Sequence, residues 1–155
     1  MVIFISEGNI FRLNEVENYA HGCNCAGAMG KGIALTFKQK FPEMYEEYKL
    51  LCKDGDFNLG DVFVYEYSEG FIFNLGTQLT WKTPVDYEGL SQAIKKMLEI
   101  ATSKGITSIA LPKIGAGLGR GDWQVIKTII LQISEEFDWI NLYIVENYKD
   151  IELSV

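Results

Sequence analysis

The sequence has little cysteine, little proline, no surplus of basic residues and no long apolar run. Its three cysteines, Cys23, Cys25 and Cys52, are odd in number and are not spaced as a disulfide framework, which points to a reducing compartment. The three prolines are scattered and no stretch reads as a linker, so the 155 residues are expected to form one domain over 1–155. Lys and Arg number 14 against 21 Asp and Glu, a formal net charge of -7. A chain this acidic is a poor general binder of nucleic acid, whose phosphates require clustered Lys and Arg. No apolar run approaches the roughly 20 residues of a membrane-crossing helix. The N-terminal Met1-Val2-Ile3-Phe4-Ile5 lacks the length and the basic leader of a signal peptide. These absences predict a soluble, cytoplasmic protein without membrane contact; a monomer is expected, though no residue pattern bears on it.

What is present is apolar material, 48% of the residues, in segments of alternating type. Val2–Ile5, Asn18–Cys23, Asp61–Tyr67, Gly70–Leu75, Thr107–Leu111 and Asn141–Val145 read as short strands, with Ser68-Glu69-Gly70 as a hairpin turn. Ile33–Phe41 reads as a helix, and Pro42 suits the first turn of the next one, which Asp54-Gly55 ends. Pro84 is expected to open a long amphipathic helix that ends at Lys104-Gly105, and Asp122 to cap a last one. Strands alternating with helices predict an α/β fold with a mostly parallel sheet covered on both faces. In such sheets ligands bind beyond the carboxyl ends of the strands.

Two glycine-rich segments each follow a strand and precede a helix, which puts both at that edge. The first, His21–Ala34, holds Gly22, Gly27, Gly30 and Gly32. Glycines let main chain approach a ligand closely, and the free N–H groups of the following helix favour a diphosphate. It is not a P-loop: the position five before Gly30 is Cys25, and Lys31 is followed by Gly32 rather than Ser or Thr. The second holds Gly115, Gly117, Gly119 and Gly121, and it is not a dinucleotide fingerprint, because the third glycine would fall at Arg120 or Asp122. His21, Cys23 and Cys25 are too closely packed for any usual zinc spacing, so no metal is expected and the thiols read as small packing residues.

Gly8-Asn9-Ile10, His21–Ala34, Asn74-Leu75-Gly76-Thr77 and Leu111–Leu118, in this order, resemble the macrodomain family over nearly the whole chain. His-Gly-Cys-Asn-Cys with Gly-Lys-Gly-Ile-Ala is most similar to the branch of ADP-ribose-1''-phosphate phosphatases, with the terminal ADP-ribose hydrolases and the antitoxin macrodomains acting on DNA as near relatives. The resemblance implies a three-layer α/β/α macrodomain-like sandwich with a mixed, mostly parallel central sheet. It implies ADP-ribose or a derivative as the partner, such as ADP-ribose-1''-phosphate or an ADP-ribosylated macromolecule, and no cofactor.

The resemblance places Gly8, Asn9 and Ile10 at the adenine, with Asn9 standing where relatives carry an Asp. It places Gly30, Lys31, Gly32 and Ile33 at the diphosphate and Asn24 at the distal ribose hydroxyls, and it counts Cys23, Met29, Thr77 and Gln78 among the ligand-binding residues. Gly115, Ala116, Gly117 and Leu118 would close over the second phosphate and that ribose, and Ile114 is expected to bind the ligand beside them. His21 and Asn24 are the expected catalytic residues. Gln78 and Gly119 stand where the hydrolase relatives place a nucleophilic Lys and an Asp. The implied activity is hydrolysis of ADP-ribose derivatives; a reader without chemistry, or sequestration of a nucleotide signal, are the alternatives.

Overall fold

A computed structural model describes residues 1–150. Six strands, β1 (Val2–Ile5), β2 (Tyr19–Asn24), β3 (Val62–Glu66), β4 (Phe71–Gln78), β5 (Ser108–Pro112) and β6 (Asn141–Val145), form one sheet in the order β1-β6-β5-β2-β4-β3. Every pairing is parallel except the β3–β4 hairpin. The helices are α1 (Gly32–Lys40), α2 (Pro42–Lys53), α3 (Tyr87–Ser103) and α4 (Trp123–Ser134), with short 3-10 turns at Ile10–Arg12 and Glu135–Phe137.

Strand alternation sorts the core onto the two faces of the sheet. Phe73, Ile109, Leu111 and Ile144 join α3 and α4 residues such as Leu90, Ile94, Met97, Ile126 and Ile130 in one cluster. Their sequence neighbours Ile72, Ala110 and Val145 face the other way, against Phe37 of α1 and Met44 and Tyr48 of α2. The result is the expected three-layer α/β/α sandwich.

Two boundaries differ from expectation. The last strand of the hairpin runs to Gln78 rather than Leu75, because Gly76 and Thr77 stay buried and paired: Gly76 N–H donates to Asp61 O at 2.8 Å, and Gly76 lies opposite Cys23 of β2. The third helix starts at Tyr87 rather than Pro84, since Asp86 is its N-cap and accepts from Gly89 N–H at 2.7 Å. Among the described residues no helix is long and apolar enough to cross a membrane.

Candidate functional site

The parallel strands deliver both glycine loops to one edge. A cleft of about 710 Å³ runs along that edge, lined by the end of β2, the loop into α1, the end of β4, the loop after β5 and the end of β6. Its extremes are Tyr148 beyond β6, and Gln78 at the end of β4 with Trp81 beyond it. These strands are three spacings apart in the sheet, about 14 Å.

The first loop is shaped by Asn24. Its Oδ1 accepts from Ala26 N–H (3.0 Å), Ala28 N–H (3.2 Å) and the Tyr48 hydroxyl (3.0 Å), while its Nδ2 donates to Ala28 O (2.8 Å). Asn24 lines the cleft, but one Nδ2 hydrogen is all that its side chain has left for a ligand. Its first effect is thus to fold the loop. The Tyr48 hydroxyl also reaches Asn24 O at 2.6 Å. Replacing Tyr48 by Phe is expected to lower stability by roughly 1 kcal/mol in urea unfolding. The same change should weaken ligand binding severalfold, because the loop loses its support from α2.

Past the loop, α1 begins at Lys31 with no side-chain cap, whereas Asp86 and Asp122 cap α3 and α4. The first intrahelical bond of α1 is Leu35 N–H to Lys31 O, so among the described residues no acceptor takes the N–H groups of Gly32, Ile33 and Ala34, and all three residues line the cleft. In the second loop Gly115 (φ +78) folds back so that its carbonyl accepts from Gly121 N–H at 2.7 Å. Among the described residues no acceptor takes the N–H groups of Gly115, Gly117, Leu118 and Gly119, and all four residues line the cleft. The two loops meet: a methyl group built on Gly32 would lie 3.1 Å from Leu118 Cδ1. Only Lys31 and Lys113 among the lining residues are cationic, with Glu146 opposing them. Main-chain donors thus dominate the site's attraction for an anion.

Of the expected ligand residues, Cys23, Asn24, Met29, Gly30, Lys31, Gly32, Ile33, Thr77, Gln78, Ile114, Gly115, Gly117 and Leu118 are brought together in this one cleft. Gly8, Asn9, Ile10 and Ala116 do not line it. Gly8 sits beside that end, bridged to Tyr148. Asn9 has other partners: its Oδ1 caps the 3-10 turn through Phe11 N–H at 2.9 Å, and its Nδ2 donates to Asp150 at 3.1 Å.

His21 is also placed differently from the expectation that it acts on the ligand. Its ring is wholly buried, stacked on Phe37 at 4.0 Å, with Nε2 donating to Asn74 Oδ1 at 2.6 Å. Asn74 in turn donates its Nδ2 to Phe63 O at 3.1 Å, which fixes the acceptor toward His21. Burial pushes the imidazole down to about 4, against the smaller opposing effect of the Asn74 bond, so at neutral pH it is uncharged. It holds β2 to α1 and lies outside the cleft wall. Burial also raises the Cys23 thiol well above its ordinary value, which removes it as a nucleophile.

Pro112 and Lys113, part of the second-loop motif, also line the cleft, as do Val145 and Glu146, which sequence reasoning passed over. The strand order alone brings the end of β6 there, and no local signal carries it. Glu146 is oriented by Trp123, whose Nε1 donates to its Oε2 at 2.9 Å.

Comparison with known proteins agrees with this geometry. The chain is 33% identical over 135 residues to the DNA ADP-ribosyl glycohydrolase of Thermus aquaticus, covering 84% of this chain but only 38% of that protein. It is 28% identical over 132 residues to the human ADP-ribose glycohydrolase OARD1, covering 85% of this chain and 84% of that one. The solved macrodomain of Thermus aquaticus DarG superposes with a TM-score of 0.85 at 32% identity, over 94% of this chain and 98% of that chain. The pattern of the Macro domain matches residues 20–130. With the sheet order, the two glycine loops and these likenesses in agreement, the chain belongs to the Macro domain family.

Proposed function

We propose that the cleft binds ADP-ribose and that the chain hydrolyses ADP-ribose derivatives, acting as a cytoplasmic monomer. The observation that carries this reading is the pair of unpaired N–H sets, Gly32, Ile33 and Ala34 in one loop and Gly115, Gly117, Leu118 and Gly119 in the other, on residues that line one cleft in two adjacent loops. A diphosphate offers acceptor oxygens in two directions and fits between them. Tyr148 at one extreme offers a ring for a base, and the Asn24–Gln78 end takes the distal ribose. The names of the Thermus and human relatives, both glycohydrolases, support the hydrolase class.

The chemistry fitting these residues is attack by water. The bond from the distal anomeric carbon to the leaving group breaks, the water oxygen takes its place, and the water proton leaves with the departing group or to solvent. The loops hold the diphosphate still while the charge develops next to it. Cys23 offers no thiolate, and Gln78 is not a nucleophile of the lysine kind.

A second reading, binding without chemistry, is favoured by one observation. Gly119 stands where hydrolase relatives place an Asp, and a Cβ there would lie 2.7 Å from Gly115 O. The loop as folded therefore has no room for that side chain. Titration calorimetry with ADP-ribose, followed by assay for ADP-ribose released from ADP-ribosylated DNA and protein, separates the two. Binding with release supports the hydrolase, binding without release supports the reader, and no binding removes both.

A further inference from the structure

We propose that Gln78 presents its amide oxygen to the distal end of the cleft as a fixed hydrogen-bond acceptor, which selects ligands bearing a hydroxyl or N–H there over ligands bearing an anion. This rests on the ADP-ribose reading above and specifies which derivatives the site takes.

The orientation follows from the turn after β4. Gln78 Nε2 donates to Thr83 O at 2.7 Å and to Thr80 O at 3.1 Å, so both amide hydrogens are used. Reversing the amide would set its oxygen against two carbonyl oxygens, and the protein's own bonding thus decides which atom faces away. That turn is tightly built. Thr80 N–H donates to Thr83 Oγ1 at 3.0 Å, and Thr83 N–H donates back to Thr80 Oγ1 at 3.2 Å. It is also latched to the second glycine loop, through Val85 N–H to Gly119 O at 2.9 Å and the Arg120 guanidinium to Lys82 O.

The remaining atom, Oε1, has no donor from the described residues. Among these residues no buried side-chain oxygen or nitrogen lacks a partner, so this oxygen is open to solvent on a residue that lines the cleft. A carbonyl oxygen can only accept. A sugar hydroxyl at that position gains a bond; a phosphate there sets its own oxygens against it.

The surroundings do not compensate an anion. The other lining residues at this end are Asn24, Thr77 and Trp81, all neutral. The cations nearest in sequence do not line the cleft and are held within the turn: Lys82 Nζ lies 5.0 Å from the centre of the Trp81 ring, and the Arg120 guanidinium is on Lys82 O. Glycohydrolase substrates and the free sugar suit this arrangement, and a 1''-phosphate does not.

The test is titration calorimetry of ADP, ADP-ribose and ADP-ribose-1''-phosphate against the full chain and its Gln78→Met and Gln78→Lys variants. The wild type is expected to bind ADP-ribose about tenfold more tightly than the 1''-phosphate. Gln78→Met should bring the two within about threefold and Gln78→Lys should reverse the order, each ratio being read against ADP titrated with the same variant. Equal or tighter wild-type binding of the 1''-phosphate overturns the proposal, as does an undiminished preference in Gln78→Met. Should that variant fail to fold, a Gln78→Lys protein that still prefers ADP-ribose overturns it equally. Failure of both ADP and ADP-ribose to bind the wild type would instead overturn the ADP-ribose reading itself.

Discussion

Replacing Gly32 by Val is expected to lower ADP-ribose affinity by about a hundredfold or more while leaving the protein folded. Two effects add. Gly32 has φ +62, a left-handed conformation that costs an L-residue roughly 1–2 kcal/mol and a β-branched one more. Its new Cβ would also sit 3.1 Å from Leu118 Cδ1, so the larger side chain fills the gap that the diphosphate is to occupy. The position is exposed at the start of α1, so the core is untouched and the fold loses little. Calorimetry gives the affinity and urea unfolding gives the stability. An affinity within threefold of wild type would mean that the diphosphate does not lie between the two loops.

His21→Ala is expected to cost stability rather than chemistry. The substitution removes a ring stacked on Phe37 and leaves buried Asn74 Oδ1 with only the weak Cys23 thiol donor at 3.8 Å, a loss of about 3 kcal/mol at pH 7. The wild type carries a pH signature of the same residue. In the unfolded chain a histidine titrates near 6.5, and in the fold burial holds His21 at about 4. Between those values the unfolded chain takes up a proton that the folded chain refuses. This contribution to stability is therefore complete above pH 6.5 and lost as pH falls through that window toward 4, by about 3 kcal/mol in all. His21→Ala should lack that decline. Full stability in the variant, coupled with loss of ADP-ribose release, would instead place His21 at the reaction.

What the sequence made legible is what depends on neighbours in the chain. Short apolar, β-rich runs located the six strands, and a strand–loop–helix repeat is enough to put two glycine loops at one sheet edge. Residues whose roles depend on distant partners were not legible. His21 lies on a buried strand face, and the stack with Phe37 that seals it from the cleft is set by how α1 packs. Glu146 and Val145 reach the cleft because β6 pairs with β5, a contact between segments far apart in sequence. Asn9 and Asp86 are a different case. An Asn or Asp just ahead of a helical turn is also a capping signal, and both residues cap here. For Asn9 the ligand role and the cap compete for the same oxygen, which already accepts from Phe11 N–H.

The most direct measurement is amide NMR of the labelled protein titrated with ADP-ribose. The account predicts saturable shifts led by Gly32, Ile33 and Ala34 in one loop and Gly115, Gly117, Leu118 and Gly119 in the other, reached at the same ligand concentration. Shifts confined to a single loop, or gathered at another face of the sheet, would contradict it.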